Sequence, residues 1–351
     1  MGINKKHPQY QEDLRYVIGA GRAEFLAGKS ILITGATGLL GVHLIDALML
    51  AGNVRIYAVG RSRTKAAERL GEYFDNPMFS FIEQDVTALF DRALKVDYIL
   101  PLASNTHPLA YSKFPVETIM TNVKGAENAL ELAVATGAEV IYPSSVEIYG
   151  NAYGDEDFSE EDTGKLNLST ARSCYTESKR VCEAMCQSYA AEKGVVVKIA
   201  RLSRVFGPTM LESDTKASSQ FIKNALAGED IVLKSKGEQY FSYIYSSDAV
   251  AAILHIMQYG KSSEVYNISN PECDIKLKDF AAICAECGGS KVVFDLPDEE
   301  ESRGYSVATR AILSNEKLTG VQYATKYSIR EAIRRTISIL ADSSHPENST
   351  L

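Results

Sequence analysis

The chain has 351 residues, 45% of them hydrophobic and 23% charged, a composition that suits one large or two modest globular domains. Its net charge of -8, from 37 basic and 45 acidic residues, comes without a basic run and argues against nucleic-acid binding. No apolar stretch approaches the roughly 20 residues of a membrane span, and residues 1–8 lack the apolar core of a signal peptide, so a soluble, cytoplasmic protein without membrane contact is expected.

Residues 1–29 read as a polar, partly helical extension. Leu14, Val17, Ile18, Phe25 and Leu26 form one apolar stripe there, to be packed on the body or on a partner subunit. From residue 30 strands and helices alternate. Apolar runs of strand length lie at 31–35, 54–59, 79–83, 98–103, 140–144 and 195–200, with helical patterns between most of them, as at 116–135 and 174–193. Such alternation predicts an α/β fold, a doubly wound parallel sheet wrapped by helices, with ligand-binding strand ends on one edge. After about Arg201 the regularity breaks. A loop-like stretch from Gly207 is followed by helices near 219–227, 247–257 and 276–287, strands at 241–245 and 265–269, and a helix ending near Leu340. This predicts a smaller C-terminal α/β substrate domain over 201–341, with segments returning to the sheet, after a dinucleotide-binding domain at 30–200. A polar, flexible tail is expected at 342–351.

The five histidines show no ligand spacing, and of the six cysteines only Cys284 and Cys287 look like a metal or redox pair. Cys284 and Cys287 fall inside one predicted helix without a second pair, while Cys182 and Cys186 read as small buried hydrophobes. No metal is expected.

Two motifs carry chemistry. The first strand runs into Gly35-Ala36-Thr37-Gly38-Leu39-Leu40-Gly41, a glycine-rich strand-to-helix turn. Gly35 permits a tight turn, Gly38 lets backbone approach a pyrophosphate, and Gly41 lets the helix pack closely on the sheet. Thr37, Leu39 and Leu40 complete this cofactor-binding turn. The second motif is Tyr175-Thr-Glu-Ser-Lys179, whose i, i+4 spacing puts a phenol and an ammonium on one helix face. The positive charge favours phenolate, so Tyr175 can remove a hydroxyl proton while a nicotinamide takes the carbon-bound hydride.

Together these residues resemble the extended short-chain dehydrogenases/reductases that modify nucleotide sugars, over roughly residues 30–340. The resemblance implies a Rossmann-like fold, an NAD cofactor, a nucleotide-sugar substrate and a homodimer built from helices 116–135 and 174–193. Leu102-Ala103-Ser104 is similar to the family's cofactor-contacting segment, with Ser104 also near substrate. Asp85-Val86 resembles its adenine-contacting pair and Asn122 its helix asparagine. By its position four before Tyr149, Ser145 corresponds to the catalytic hydroxyl.

Glu147 resembles the glutamate of sugar 4,6-dehydratases and UDP-glucuronate decarboxylases, with a structural hydrogen bond as its other reading. Val146 stands where many dehydratases carry an acidic proton donor. The run Arg172-Ser-Cys-Tyr175-Thr-Glu177-Ser-Lys179-Arg180 is especially similar to that of the decarboxylases. The resemblance therefore ranks decarboxylation first, dehydration second and C4 or C5 epimerisation third. A net ketosugar reductase and a non-catalytic dinucleotide sensor stand as further readings. Two departures oppose the pattern: Arg204 replaces an asparagine, and Phe241 replaces an arginine that commonly grips the diphosphate. Either Arg204 takes over the phosphate contact or the substrate differs. Arg61 follows the second strand where NAD-preferring members place an acid, which also admits NADP.

Overall fold

The computed structural model describes residues 3–106, 108–150, 155–296 and 309–343. Its first half contains strands β1 (Ser30–Thr34), β2 (Arg55–Gly60), β3 (Phe79–Glu83), β4 (Tyr98–Pro101), β5 (Glu139–Ser145) and β6 (Val197–Leu202). The helices are α1 (Pro8–Ala20), α2 (Leu39–Ala51), α3 (Arg63–Leu70), α4 (Pro108–Lys113), α5 (Pro115–Thr136) and α6 (Ser173–Lys193). The second half adds β7 (Arg204–Phe206), α7 (Ala217–Ala227), β8 (Ile231–Leu233), β9 (Tyr240–Tyr245), α8 (Ser246–Tyr259), β10 (Val265–Ile268), β11 (Asp274–Lys276) and α9 (Leu277–Gly288). The chain then continues through β12 (Val292–Phe294), β13 (Arg310–Ala311), α10 (Glu316–Gly320) and α11 (Ile329–Ser343).

Seven strands form one sheet in the order β3-β2-β1-β4-β5-β6-β10, with every pairing parallel. This is the doubly wound sheet expected from the alternating pattern. Its central strands are apolar throughout because both faces are covered. In β1, Ile31 and Ile33 point into a cluster with Leu14, Leu44 and Leu254, whereas Leu32 points into one with Leu130 and Cys186. Strand order reverses between β1 and β4, so their carboxyl ends open a crevice at that switch point. Helix α6 ends at Gly194, whose φ of 70° turns the chain so that the N–H of Val195 reaches back to the carbonyl of Tyr189 (3.4 Å).

A third cluster holds the second half: Phe206, Phe221, Tyr243, Phe280, Ile333 and Leu340 pack with Val146, Ile148 and Phe158. The small sheet at its centre pairs β9 with β7, β11 and β13. Strand β10 and helix α8 instead join the large sheet and its core. Asp342 and Ser343, expected in the tail, close α11, where Asp342 accepts from Asn4; residues 344–351 lie outside the described set.

The N-terminal segment packs on the body. Tyr10, Leu14 and Val17 are buried along one face of α1, against α8 and α2. Asp13 is buried beside them and accepts from Tyr245 Oη (2.6 Å), Tyr327 Oη (2.8 Å) and Arg335 Nε (3.1 Å). Burial pushes its carboxyl up, while these donors pull it back down. One acid thus ties α1 to β9 and α11. Asp13→Ala should cost about 3–5 kcal/mol in urea unfolding, because it removes the buried acceptor shared by two phenols and Arg335 Nε. An unchanged midpoint would mean that α1 is not part of the cooperative unit.

Candidate active site

The glycine turn faces the switch-point crevice. Gly35 has φ 62°, and a Cβ there would lie 2.8 Å from the Ala103 nitrogen. Strand β1 and the end of β4 can approach only with glycine at this position. At Gly41 a Cβ would lie 2.5 Å from the Gly35 carbonyl, so the first turn of α2 packs on the Gly35–Ala36 backbone rather than on the sheet proper. Gly38 caps α2 without a side chain. Leu39 and Leu40 send their side chains toward separate apolar clusters. The first-turn N–H groups of α2, from Leu39 to Gly41, therefore have no i-4 carbonyl and suit an anion. Thr37 is half-buried at this opening.

The floor of the crevice is lined by Thr34, Val86, Ala103, Asn122, Tyr142 and Lys179. Ala103 N donates to Thr34 Oγ1 (3.0 Å), Ser104 Oγ to the Asn105 carbonyl (3.3 Å), and Leu102 packs on the core. Asn122 Nδ2 donates to Ser178 Oγ (2.8 Å), but its Oδ1 is buried without a partner among the described residues, as is Ser144 Oγ. Buried orphan acceptors and hydroxyls of this kind, beside a glycine cradle, fit a polar dinucleotide. At the outer edge Asp85 accepts from Thr87 N and Oγ1, and that backbone hydrogen bond holds its carboxyl below the usual range. Arg61 is exposed there and pairs with Glu117 (3.1 Å) and more loosely with Asp85 (4.0 Å).

The reactive cluster lies where β5 ends. Ser145 caps a single helical turn, Val146–Tyr149, and its Oγ accepts from Glu147 N (3.2 Å). Tyr175, in the first turn of α6, is buried, and this burial pushes its phenol up to about 12. A hydrogen bond with Ser145 draws it back, and the charge of Glu147 raises it further. Lys179 donates to the Pro143 carbonyl (2.7 Å) and lies over the Tyr142 ring, 4.9 Å from its centroid. Burial pulls its amine down to about 8. The expected shared helix face is present; Lys179 gives its ammonium to the Pro143 carbonyl of β5, and the hydrogen bond with Ser145 is what draws the phenol down.

Glu147 reaches across to Arg204 Nη2 (3.2 Å). The Arg204 guanidinium lies over the Phe241 ring at 3.7 Å, so the two departures from the family pattern are one contact. Ser145, Glu147, Tyr175, Arg204 and Phe241 thus form a continuous set. Arg61 and Asp85 stand apart at the β2–β3 edge. Sequence reasoning missed Tyr111, whose ring stacks on Tyr175 at 4.8 Å and 24° and whose hydroxyl is raised by burial, by Tyr175 and by Glu147. It sits in the short α4, where no spacing ties it to the motif. Among the described residues no group of His, Cys, Asp or Glu could hold a metal, and no helix is long and apolar enough to cross a membrane.

Comparison with known proteins bears on this arrangement. UDP-glucuronic acid decarboxylase 1 of Xenopus tropicalis is 36% identical over 262 residues, 75% of this chain and 61% of that protein. UDP-glucuronic acid decarboxylase 6 of Arabidopsis thaliana is 36% identical over 70% of this chain and 71% of its own length. The chain thus spans less than two thirds of the frog protein. Among solved structures, UDP-glucose 4-epimerase of Thermotoga maritima superposes with a TM-score of 0.77 at 22% identity, over 90% of this chain and 99% of that one. A dTDP-glucose 4,6-dehydratase of Streptomyces venezuelae, solved with NAD, gives 0.76 at 20% identity over 91% and 97%. The model of one family matches residues 31–269, from the strand before the glycine turn through Ser145, Tyr175 and Arg204 to the end of the large sheet: the chain belongs to the NAD dependent epimerase/dehydratase family.

Proposed function

We propose that this chain is a nucleotide-sugar enzyme that keeps NAD through its cycle and decarboxylates UDP-glucuronate by way of a 4-keto sugar. The observation that carries this reading is the buried Ser145–Tyr175 pair with apolar, buried Val146 beside it and a guanidinium, Arg204, facing Glu147. The decarboxylase relatives at 36% identity support it.

Tyr175 would move the proton at the C4 hydroxyl, with Ser145 holding that oxygen as it becomes a carbonyl. Lys179 would orient the nicotinamide ribose. A bound nicotinamide supplies hydride acceptance from C4 and its later return. With a C4 ketone in place, the C5 carboxylate is a β-keto acid. The C5–C6 bond breaks, carbon dioxide leaves, and its electron pair delocalises toward the C4 oxygen until C5 takes a proton. No proton donor is needed at Val146, whereas loss of a C6 hydroxyl would need one. Glu147 would position the substrate or assist the return of that C5 proton.

NAD is favoured over NADP by the surroundings of Arg61, because a 2′-phosphate would meet the carboxylates of Glu117 and Asp85 beside that one guanidinium. The reductase reading weakens with it. A pure sensor has no use for a buried serine–tyrosine pair. Phe114, Val116, Ile119 and Met120 are exposed around the start of α5, and Val181 on α6, which supports a homodimer through these helices. The six free thiols fit a reducing compartment, and the cytoplasm is our assignment.

The reaction is tested by mass measurement after incubation with UDP-glucuronate and neutral UDP-, dTDP-, GDP- and CDP-hexoses. Loss of carbon dioxide from UDP-glucuronate is expected; loss of water from a neutral hexose, with UDP-glucuronate untouched, would overturn the proposal. Tyr175→Phe should lower turnover by about 10²–10⁴-fold with NAD affinity nearly unchanged. Equal loss of both would give Tyr175 a structural role. Met120→Glu should convert a dimer to a monomer in sedimentation; a wild-type monomer at micromolar concentration would remove the dimer.

A further inference from the structure

Arg204 has more hydrogen-bonding capacity than the protein uses. Its neighbours in the cation set are committed. Lys179 donates to the Pro143 carbonyl, and Arg180 gives Nε and Nη2 to the Ile148 carbonyl. Arg201 is saturated by Glu183, the Tyr149 hydroxyl and the Glu160 carbonyl. Arg204, by contrast, gives Nη2 to Glu147 Oε1 and rests one face on Phe241, while Nη1 is buried without a partner among the described residues. A buried, unsatisfied guanidinium nitrogen calls for a physical reason.

Its location supplies one. Glu147, the carboxylate that Arg204 already holds, lies two residues past Ser145 and donates its N–H to that hydroxyl (3.2 Å). Arg204 therefore lies at the sugar end of the site, beside the phenol that would meet C4. The planar fork of arginine matches a carboxylate, and stacking on Phe241 fixes its plane before any ligand arrives.

Building on the proposed uronate substrate, we infer that Arg204 is the residue that recognises the sugar carboxylate, through its Nη1 edge, while Glu147 on Nη2 sets its orientation. Phe241, on β9, is the platform that holds the guanidinium of Arg204, on β7. Two opposite effects follow. Removing the Arg204 charge abolishes preference for a carboxylate-bearing sugar. Removing the Glu147 charge, with its hydrogen bond kept, relieves repulsion between two carboxylates on one guanidinium and strengthens that preference.

The experiment compares UDP-glucuronate with UDP-glucose by calorimetric titration of the NAD-saturated protein, in a Tyr175→Phe background that blocks turnover. The Tyr175→Phe protein should prefer UDP-glucuronate by at least about tenfold, the scale of one charge-assisted hydrogen bond. Arg204→Gln should bring the ratio to near unity, and Glu147→Gln should raise it. If Arg204→Gln does not fold, judged by its unfolding temperature, the sign of the Glu147→Gln change decides: a ratio unchanged or lowered overturns the inference. A ratio that persists in folded Arg204→Gln overturns it too, and the proposed reaction still stands if wild type releases carbon dioxide. No carbon dioxide together with an Arg204-dependent preference would sink the reaction and leave the carboxylate assignment intact. No preference in the Tyr175→Phe protein would overturn the inference outright.

Discussion

The site depends on the register of β5 against β6. These strands pair in parallel from Val140 opposite Val197 to Ser145 opposite Leu202. Because they run the same way, residues equally far beyond that last pair emerge side by side. Glu147 lies two residues past Ser145, and Arg204 lies two residues past Leu202; they meet as an ion pair at 3.2 Å. The same register brings Ser145 to the edge where α6 delivers Tyr175. A slip of one residue would turn every side chain of β5 to the opposite face and separate all of these groups. Burial on both faces of the sheet is what forbids that slip, since Ile141 and Tyr142 belong to different apolar clusters.

Burial also sets the protonation of the site. With its phenol raised to about 12, Tyr175 holds its proton at neutral pH. Lys179, lowered to about 8, is the stronger acid of the two. A group that takes a proton from a sugar hydroxyl must first be able to lose its own. Ser145 works in that direction and Glu147 against it. Arg204 pairs with Glu147, so the ion pair bears on the phenol and, in its proposed role, on the substrate. Removing one charge of such a pair is not a local change.

Much of this was legible in the residues. The parallel sheet announced itself as apolar runs because its strands are covered on both sides. The glycine turn was readable because Gly35 and Gly41 each stand where a Cβ would collide with backbone. The Tyr175–Lys179 spacing gave the helix face correctly but not the reach of the lysine, which depends on where β5 ends. Asp13 was unreadable: its partners Tyr245, Tyr327 and Arg335 lie more than two hundred residues away, and a single acid in a polar segment carries no periodic signal. Tyr111 was hidden because no spacing ties the short α4 to the Tyr175 motif. Strands β7, β8, β11, β12 and β13, of two or three residues each, are too short for alternation to register. Arg204 and Phe241 looked like two separate irregularities because sequence does not show that β7 lies beside β9.

The proposed chemistry rests on a hydride that leaves C4 and comes back. The most direct measurement is single-turnover absorbance of reduced nicotinamide after mixing the NAD-loaded protein with UDP-glucuronate, with carbon dioxide release followed in parallel. The account predicts a transient rise that decays as carbon dioxide appears, no net reduced cofactor, and no transient in Tyr175→Phe. Stoichiometric accumulation of reduced cofactor, or carbon dioxide release undiminished in Tyr175→Phe, would contradict it.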